Sequence, residues 1–327
     1  MSVAVERGQR VSTKLRSFIR MICMDGYAVT IEGQQGLKEY LASREEVLSF
    51  VEQLRGGANR RFPFNQLESI VQALIHNYGT EVYKTYAIPE TSKLTLHRVR
   101  RLEENEPVMF ADKLGSRTAD NTNNYGRCHV PKKPLCYCSL YEDIALAEVN
   151  AETGQRYAIA TYEITQDLIV LPIGELDYFR RTGITYLGSD IPPPDNPKDH
   201  YDKIINDRDK EKAKLRQFVD AFFADEFISP ASNTTHYKLT AALAKVLFEH
   251  RYEKGNPDAI FYPSVAFRAG YNFAIRPDAE KSKMKLLKEH TRIVRVKENL
   301  GYGIYEIEDE YILKSIGNDG QLEWEDC

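Results

Sequence analysis

The 327-residue sequence contains few cysteines, no excess of basic residues and no long apolar run. Its five cysteines are an odd number in a long chain, which excludes a disulfide framework and favours reduced thiols. The formal net charge of −4 argues against a dedicated nucleic-acid-binding face, which would need clustered Lys and Arg. No segment approaches the roughly 18 uninterrupted apolar residues of a membrane span. Together, these absences favour a cytoplasmic globular protein that binds neither nucleic acid nor a membrane.

The sequence also lacks both common glycine-rich loops for binding phosphate, the Rossmann fingerprint and the P-loop. Any nucleotide must therefore be bound by other means. The first 20 residues contain five basic residues and only Glu6 as an acid. An organelle-targeting helix has this composition, and so does an ordinary surface helix, which is the simpler interpretation.

The spacing of apolar residues changes near residue 90. Residues 44–55 carry apolar side chains at helical spacing, and Asn65 followed by Glu68 predicts the start of a second helix. We therefore predict a small, mostly helical unit over residues 1–90 that has no catalytic signature.

Residues 91–327 contain several strand-like segments and only a few helices, which predicts an α+β domain built on a mixed sheet. Residues 180–235 include three consecutive prolines and many charged residues, so we expect a surface excursion there. Residues 292–315 are predicted to form a hairpin, and the acidic tail that follows is expected to be loose.

Arginines that could bind an anion occur in two places. Arg98 and Arg100 lie two residues apart in a predicted strand and so face the same way, and a planar guanidinium can hold two phosphate oxygens at once. An exposed basic edge strand would show the same pattern. Gly126 and Arg127 follow a polar loop, where a glycine lets the backbone approach a ligand, although a plain turn also fits.

Two later segments carry a carboxylate and a hydroxyl. Glu148 lies eleven residues after Tyr137 in a predicted helix and is surrounded by small apolar residues. It either points inward, where a carboxylate needs a partner, or occupies the polar face of the helix. Ser264 ends an apolar strand, and Asn272 follows eight residues later. A hydroxyl at a strand end is well placed to meet a ligand, and a turn-forming serine is the simpler alternative.

A rival site is suggested by Cys128, His129, Cys136 and Cys138, which fall within eleven residues. The spacing is poor for zinc, because the Cys-x₂-Cys knuckle is absent. Packing beside a site is the favoured role for these side chains, and we expect no metal.

The order of these motifs is more informative than any one of them. LHRVRRL, YGRC, LCYCSLYEDIALAEV and DAIFYPSVAFRAGYNFAI follow one another as in the RES domain, and the chain resembles that family over roughly residues 94–280. The resemblance implies a fold similar to ADP-ribosyltransferases. It also implies a toxin-like enzyme that removes NAD⁺ by hydrolysis or, with phosphate as co-substrate, by phosphorolysis. Many family members are paired with a helix-turn-helix antitoxin.

The resemblance further implies a role for each candidate residue. The pyrophosphate would be held by Arg98 or its neighbour Arg100, together with Gly126 and Arg127. Tyr137 would stack on the nicotinamide ring or the ribose. Glu148 would be the family's glutamate and stabilise positive charge on the ribose, and Ser264 with Asn272 would hold the nicotinamide side.

Two other functions are compatible with the same motifs. A protein ADP-ribosyltransferase would use the same NAD⁺ site with a protein as acceptor. A non-catalytic NAD-binding or protein-interaction module would keep the fold without the activity. The presence of all the motif residues argues against the second alternative.

Overall fold

The computed structural model describes residues 44–55, 62–79, 81–185, 187, 197–230, 234–253, 255–267 and 270–327. The basic N-terminal segment and the triple proline lie outside the described residues. The helices are α1 Arg44–Arg55, α2 Phe64–Leu74, α3 Glu142–Glu148, α4 Glu175–Thr182, α5 Pro197–Ile205, α6 Lys210–Ile228, α7 Lys238–Glu249 and α8 Pro277–Lys283. The strands are β1 Tyr86–Ile88, β2 Thr95–Leu102, β3 Cys136–Ser139, β4 Arg156–Ile164, β5 Leu168–Pro172, β6 Ala259–Pro263, β7 Tyr271–Ile275, β8 Met284–Leu286, β9 Arg292–Gly301, β10 Ile304–Ile316 and β11 Leu322–Asp326.

Eleven strands of the described chain form one mixed sheet. The strand order is β1-β5-β6-β7-β3-β2-β4-β9-β10-β11. The short strand β8 is not part of this linear order and pairs with β4. β5 and β6 run parallel, whereas the other described pairs are antiparallel. A large mixed sheet combined with helices confirms the α+β class predicted from the sequence.

Helices cover one face of the sheet where β5, β6 and β7 lie. α1, α2, α6 and α7 bury their apolar sides there in a single core with residues of these strands. Phe222 on α6, Leu243 on α7 and Ile260 on β6 are all fully buried in it. Burying a side chain of this size stabilises the fold by about 1.5–3 kcal/mol. Within the described residues, α1 and α2 thus share a core with later elements, and the boundary near residue 90 stays a prediction.

The expected surface excursion is wrong for residues 197–228. This segment forms α5 and α6, and α6 buries Val219, Phe222, Phe223 and Phe227. Apolar residues three and four positions apart give α6 a buried face, although charged residues occur along the whole helix and two of them, Arg216 and Asp220, are buried as well. The consequence for function is that the C-terminal end of α6 reaches the candidate site.

The C-terminal region completes the far edge of the sheet. β9 and β10 form the hairpin predicted for residues 292–315, with Gly301 and Gly303 at φ +82° and +79° in its turn. The acidic tail is not loose, because Leu322–Asp326 pairs with β10 and Trp324 Nε1 donates to Val108 O at 2.7 Å. None of the described helices combines the length and the apolar character that spanning a membrane requires.

Candidate active site

A row of polar side chains crosses the middle of the sheet. Strand pairing aligns Thr161, His97, Ser139, Asn272 and Tyr262 on the neighbouring strands β4, β2, β3, β7 and β6. Directly paired residues point to the same face of a sheet, so these side chains form one line. Ser139 Oγ donates to Asn272 Oδ1 at 2.6 Å within it. His97, Ser139, Asn272 and Tyr262 line a cavity of about 390 Å³.

Helix α3 brings Glu148 over this row. Its buried residues Ala145 and Leu146 pack against Val99 of β2, which fixes the helix on the same face as His97. The chain turns away after the helix at Asn150, whose φ of +49° lies in the left-handed region that asparagine tolerates. Glu148 stands in the last turn of α3, exposed and lining the cavity.

The connection between β6 and β7 supplies two hydrogen-bond donors to Glu148. Ser264 Oγ donates to Glu148 Oε1 at 2.5 Å, and Asn272 Nδ2 donates to the same oxygen at 2.7 Å. Gly270 allows this approach, because an added Cβ would lie 2.8 Å from Ile144 Cδ1 on α3. Glu148 Oε2 bonds to none of the described residues. One carboxylate oxygen is thus fixed, and the other is available to a ligand.

Arg127 reaches the cavity beside the end of α6. Its guanidinium donates to Phe227 O and more loosely to Ser229 O, 3.4 Å away, and its Cζ lies 5.0 Å from the centroid of the Tyr237 ring. Unpaired carbonyls at a helix C-terminus carry partial negative charge and attract a cation. The contact with Tyr237 adds a cation–π interaction. Helix α6 and Tyr237 therefore hold a positive charge at the cavity wall.

Tyr137 forms part of the opposite wall. Its hydroxyl accepts from Cys128 N at 3.0 Å and bonds His129 Nδ1 at 2.8 Å. Burial raises the pKa of Tyr137, so the phenol stays neutral. The His129 ring lies directly against Gly126, where an added Cβ would be 2.1 Å from His129 Cε1. The glycine before Arg127 thus makes room for the imidazole that orients Tyr137.

Replacing Gly126 by alanine is expected to destabilise the protein by about 1–3 kcal/mol, since the methyl group would overlap the His129 ring. The displaced ring would release Tyr137, so activity should fall as well. Urea-induced unfolding measures the loss of stability. The double variant Gly126→Ala with His129→Ala should recover part of it, because the clash is gone. Equal stability of wild type and Gly126→Ala would contradict this steric account.

The two strand arginines have different surroundings. Arg98 follows His97 on β2, so its side chain projects from the face of the sheet opposite His97. Arg98 is nevertheless one of the residues that line the cavity. Its Nε donates to Leu114 O at 3.1 Å and a terminal nitrogen donates to Tyr137 O at 3.0 Å. Arg100 instead forms an ion pair with Glu106 and does not line the cavity. Arg98, and not Arg100, thus borders the candidate site, although its side chain lies on the opposite face of the sheet.

The cavity wall has a net positive charge. Among the described residues that line it, Arg117 and Arg127 outnumber the single carboxylate, that of Glu148, whereas the Arg98 side chain lies on the other face of the sheet near Glu280. Arg117 makes no hydrogen bond or ion pair with the described residues. Burial and the charge of Arg117 lower the pKa of His129, which keeps that imidazole neutral. Such a wall favours an anionic ligand.

Several functional candidates were not predicted from the sequence. His97 and Ser139 are brought together by strand register, which the sequence does not reveal, and Arg117 and Tyr237 lie in segments without a recognisable motif.

The cysteines of the rival zinc interpretation do not point into the cavity with Tyr137. Cys136 and Cys138 are buried 3.6 Å apart, Sγ to Sγ, on the face of β3 opposite Tyr137. The described residues contain no group of three or more potential metal-ligating side chains.

The family of the chain follows from a comparison with protein-family models. The model of the RES domain matches residues 95–295, which is more than half of the chain. The chain belongs to the RES domain family. No curated protein matches the sequence. No solved structure matches it either.

The match to the RES domain confirms the resemblance drawn from the motif order. The RES domain is linked in general to toxin-like, NAD-related functions. Every cavity-lining residue named above, from His97 to Asn272, falls within the RES domain. Helices α1 and α2 and strand β1 precede the match, and β10 and β11 follow it. The chain therefore extends the RES domain at both edges of the sheet.

Proposed function

We propose that this RES-domain protein cleaves NAD⁺ at the bond between nicotinamide and ribose, with water or phosphate as nucleophile. The observation that carries the proposal is the Glu148 carboxylate, fixed through one oxygen by Ser264 and Asn272 in a cavity that is also lined by Arg117 and Arg127. The family resemblance adds the proposal that the sheet core is related to ADP-ribosyltransferases.

The reaction suits a fixed carboxylate. Nicotinamide leaves NAD⁺ as a neutral molecule, so neither an acid nor a metal is needed to expel it. The barrier lies in building positive charge on the ribose, as in the oxocarbenium-like transition state of glycoside hydrolysis. Glu148 Oε2, which no described residue uses, would face that charge or accept from a ribose hydroxyl. Ser264 and Asn272 are positioning residues in this scheme, since they hold Glu148 in place.

The arginines suit the diphosphate of NAD⁺. Arg117 and Arg127 lie on the cavity wall and would bind phosphate oxygens by charge-assisted hydrogen bonds. Arg98 donates to the carbonyl of Tyr137, so it would hold the Tyr137 strand in position beside the nicotinamide riboside. Anchoring the diphosphate fixes the scissile bond near Glu148 and converts binding energy into orientation.

Incubation of the purified protein with NAD⁺, with and without phosphate, tests the proposal. Nicotinamide and the ADP-ribose product are separated by chromatography. We expect nicotinamide to be released, together with ADP-ribose in the absence of phosphate or a phosphorylated ADP-ribose in its presence. Absence of nicotinamide under both conditions would contradict the proposal.

The same incubation separates cleavage from transfer to a protein. NAD⁺ labelled in its ADP-ribose half is supplied, and the protein fraction is examined for label. Cleavage by water or phosphate leaves the label in small molecules. Label that accumulates on a protein would favour the protein ADP-ribosyltransferase instead.

A further inference from the structure

His97 occupies a position in the row of polar residues that the proposed reaction has not yet used. It lies between Thr161 on β4 and Ser139 on β3, and its side chain lines the cavity. Ser139, which pairs with His97 in the strand register, donates to Asn272, and Asn272 in turn donates to Glu148 Oε1. In this row, Ser139 and Asn272 therefore lie between His97 and the place where Glu148 is bound.

The hydrogen bonds determine which nitrogen of His97 carries the proton. His97 Nδ1 lies 3.1 Å from Thr161 Oγ1. The Thr161 hydroxyl donates its single hydrogen to His290 O at 2.9 Å, since a carbonyl can only accept. The hydroxyl must then accept from His97, so Nδ1 is protonated. In the neutral ring, Nε2 consequently carries a lone pair.

The surroundings keep this imidazole neutral and leave Nε2 open. Burial, together with the nearby Arg292 and His290, lowers the pKa of His97 to about 4. Nε2 has no hydrogen-bond partner among the described residues and is not one of the buried unpaired atoms there. The second cavity histidine differs, because His129 bonds Tyr137 through Nδ1 and also makes a hydrogen bond with the backbone of Asn124. His97 therefore offers the cavity an unused proton acceptor.

We propose that His97 is the general base that activates water in this site. The inference rests on the proposed cleavage of NAD⁺. As the water oxygen bonds the anomeric carbon, the bond from that carbon to nicotinamide breaks and its electron pair stays on the nicotinamide nitrogen. The proton of the water passes to His97 Nε2, and the imidazolium then releases it to solvent. The products are ADP-ribose, nicotinamide and one proton.

A weak base is sufficient for this step. Water becomes strongly acidic only as it bonds the cationic ribose, so a group of low basicity can accept its proton at that moment. Phosphate and azide anions need no such help, because they can attack without losing a proton. The prediction that follows is specific to the nucleophile: His97 matters for water and not for these anions.

The variant His97→Asn tests the inference. The asparagine amide occupies the place of Nδ1 and can still donate to Thr161, but nothing replaces Nε2. Hydrolysis of NAD⁺ should fall about 100-fold, the lower end of general-base contributions. Nicotinamide release with azide as nucleophile should stay within about threefold of wild type, because azide needs no base. A second measurement, ¹⁵N NMR of the wild-type protein, should show His97 protonated at Nδ1 only.

The outcomes separate this inference from the proposed function. Equal losses with water and azide, or no loss with either, would overturn the role of His97 while cleavage stands. A wild-type protein that releases nicotinamide only with phosphate or azide would also overturn the role of His97, since it would activate no water. A proton on Nε2 in the NMR spectrum would overturn it independently of activity. A wild type that releases no nicotinamide with any nucleophile would contradict the proposed function itself.

Discussion

Replacing Glu148 by glutamine is expected to lower the rate of nicotinamide release by about 100-fold or more, the usual loss when one electrostatic contact to the transition state is removed. The glutamine amide oxygen can still accept from Ser264 and Asn272, so the side chain should keep its place. What is lost is the negative charge opposite the ribose. NAD⁺ affinity, measured by calorimetry, should change by no more than about threefold, since the charge acts mainly in the transition state.

Glu152→Gln is the matched control for this substitution. Glu152 lies four residues further along, is exposed, and forms an ion pair with Arg101 at 3.4 Å. Exposed ion pairs contribute about 0–1 kcal/mol, so this variant should retain both stability and activity. If Glu148→Gln released nicotinamide as fast as the control, the assignment of Glu148 would be wrong. A loss of folding in Glu148→Gln would be visible as a lower unfolding midpoint than that of the control.

Replacing Arg127 by alanine is expected to weaken NAD⁺ binding by about 10–100-fold, which corresponds to about 1.5–3 kcal/mol for a hydrogen bond to a charged group. Arg127 places a cation on the cavity wall, held by the end of α6 and by Tyr237. Its loss would remove the proposed anchor for the diphosphate without touching Glu148. The dissociation constant is measured by titration calorimetry in the Glu148→Gln background, where NAD⁺ remains intact.

Arg101→Ala serves as the control for Arg127→Ala. Arg101 is also an arginine at the surface, but it bonds Glu152 and Gln155 and does not line the cavity. It should leave the dissociation constant within about twofold of the reference protein, because the charge it removes is screened by solvent. Similar affinities for the Arg127 and Arg101 variants would show that the diphosphate is bound elsewhere.

The class of fold could be predicted from the sequence because strand and helix periodicities are local properties. The hairpin of residues 292–315 is an example, with glycines at its turn. The errors at α6 and β11 have a different origin. Both segments mix charged with apolar residues, and only contact with the rest of the fold shows which of their side chains become buried. Composition is a poor guide to burial in such segments, because tertiary packing decides which side chains lie inside.

The candidate site shows the same limit. The motif order predicted that Arg127, Tyr137 and Glu148 belong together, and the structure places all of them around one cavity. The sequence also indicated that Arg98 and Arg100 share a face of β2. It could not indicate that this face lies opposite Tyr137, since that depends on the register between β2, β3 and β7. The same register brings His97 to the floor of the cavity, next to Ser139.

Proton NMR of NAD⁺ mixed with the purified protein is the most direct test of the central claim that Glu148 drives cleavage of the nicotinamide–ribose bond. The ring protons of NAD⁺ and of free nicotinamide have distinct signals, so cleavage is followed without separation. We predict conversion to free nicotinamide by the wild type, and persistence of NAD⁺ with Glu148→Gln over the same period. Intact NAD⁺ in both samples, or equal conversion in both, would contradict the account.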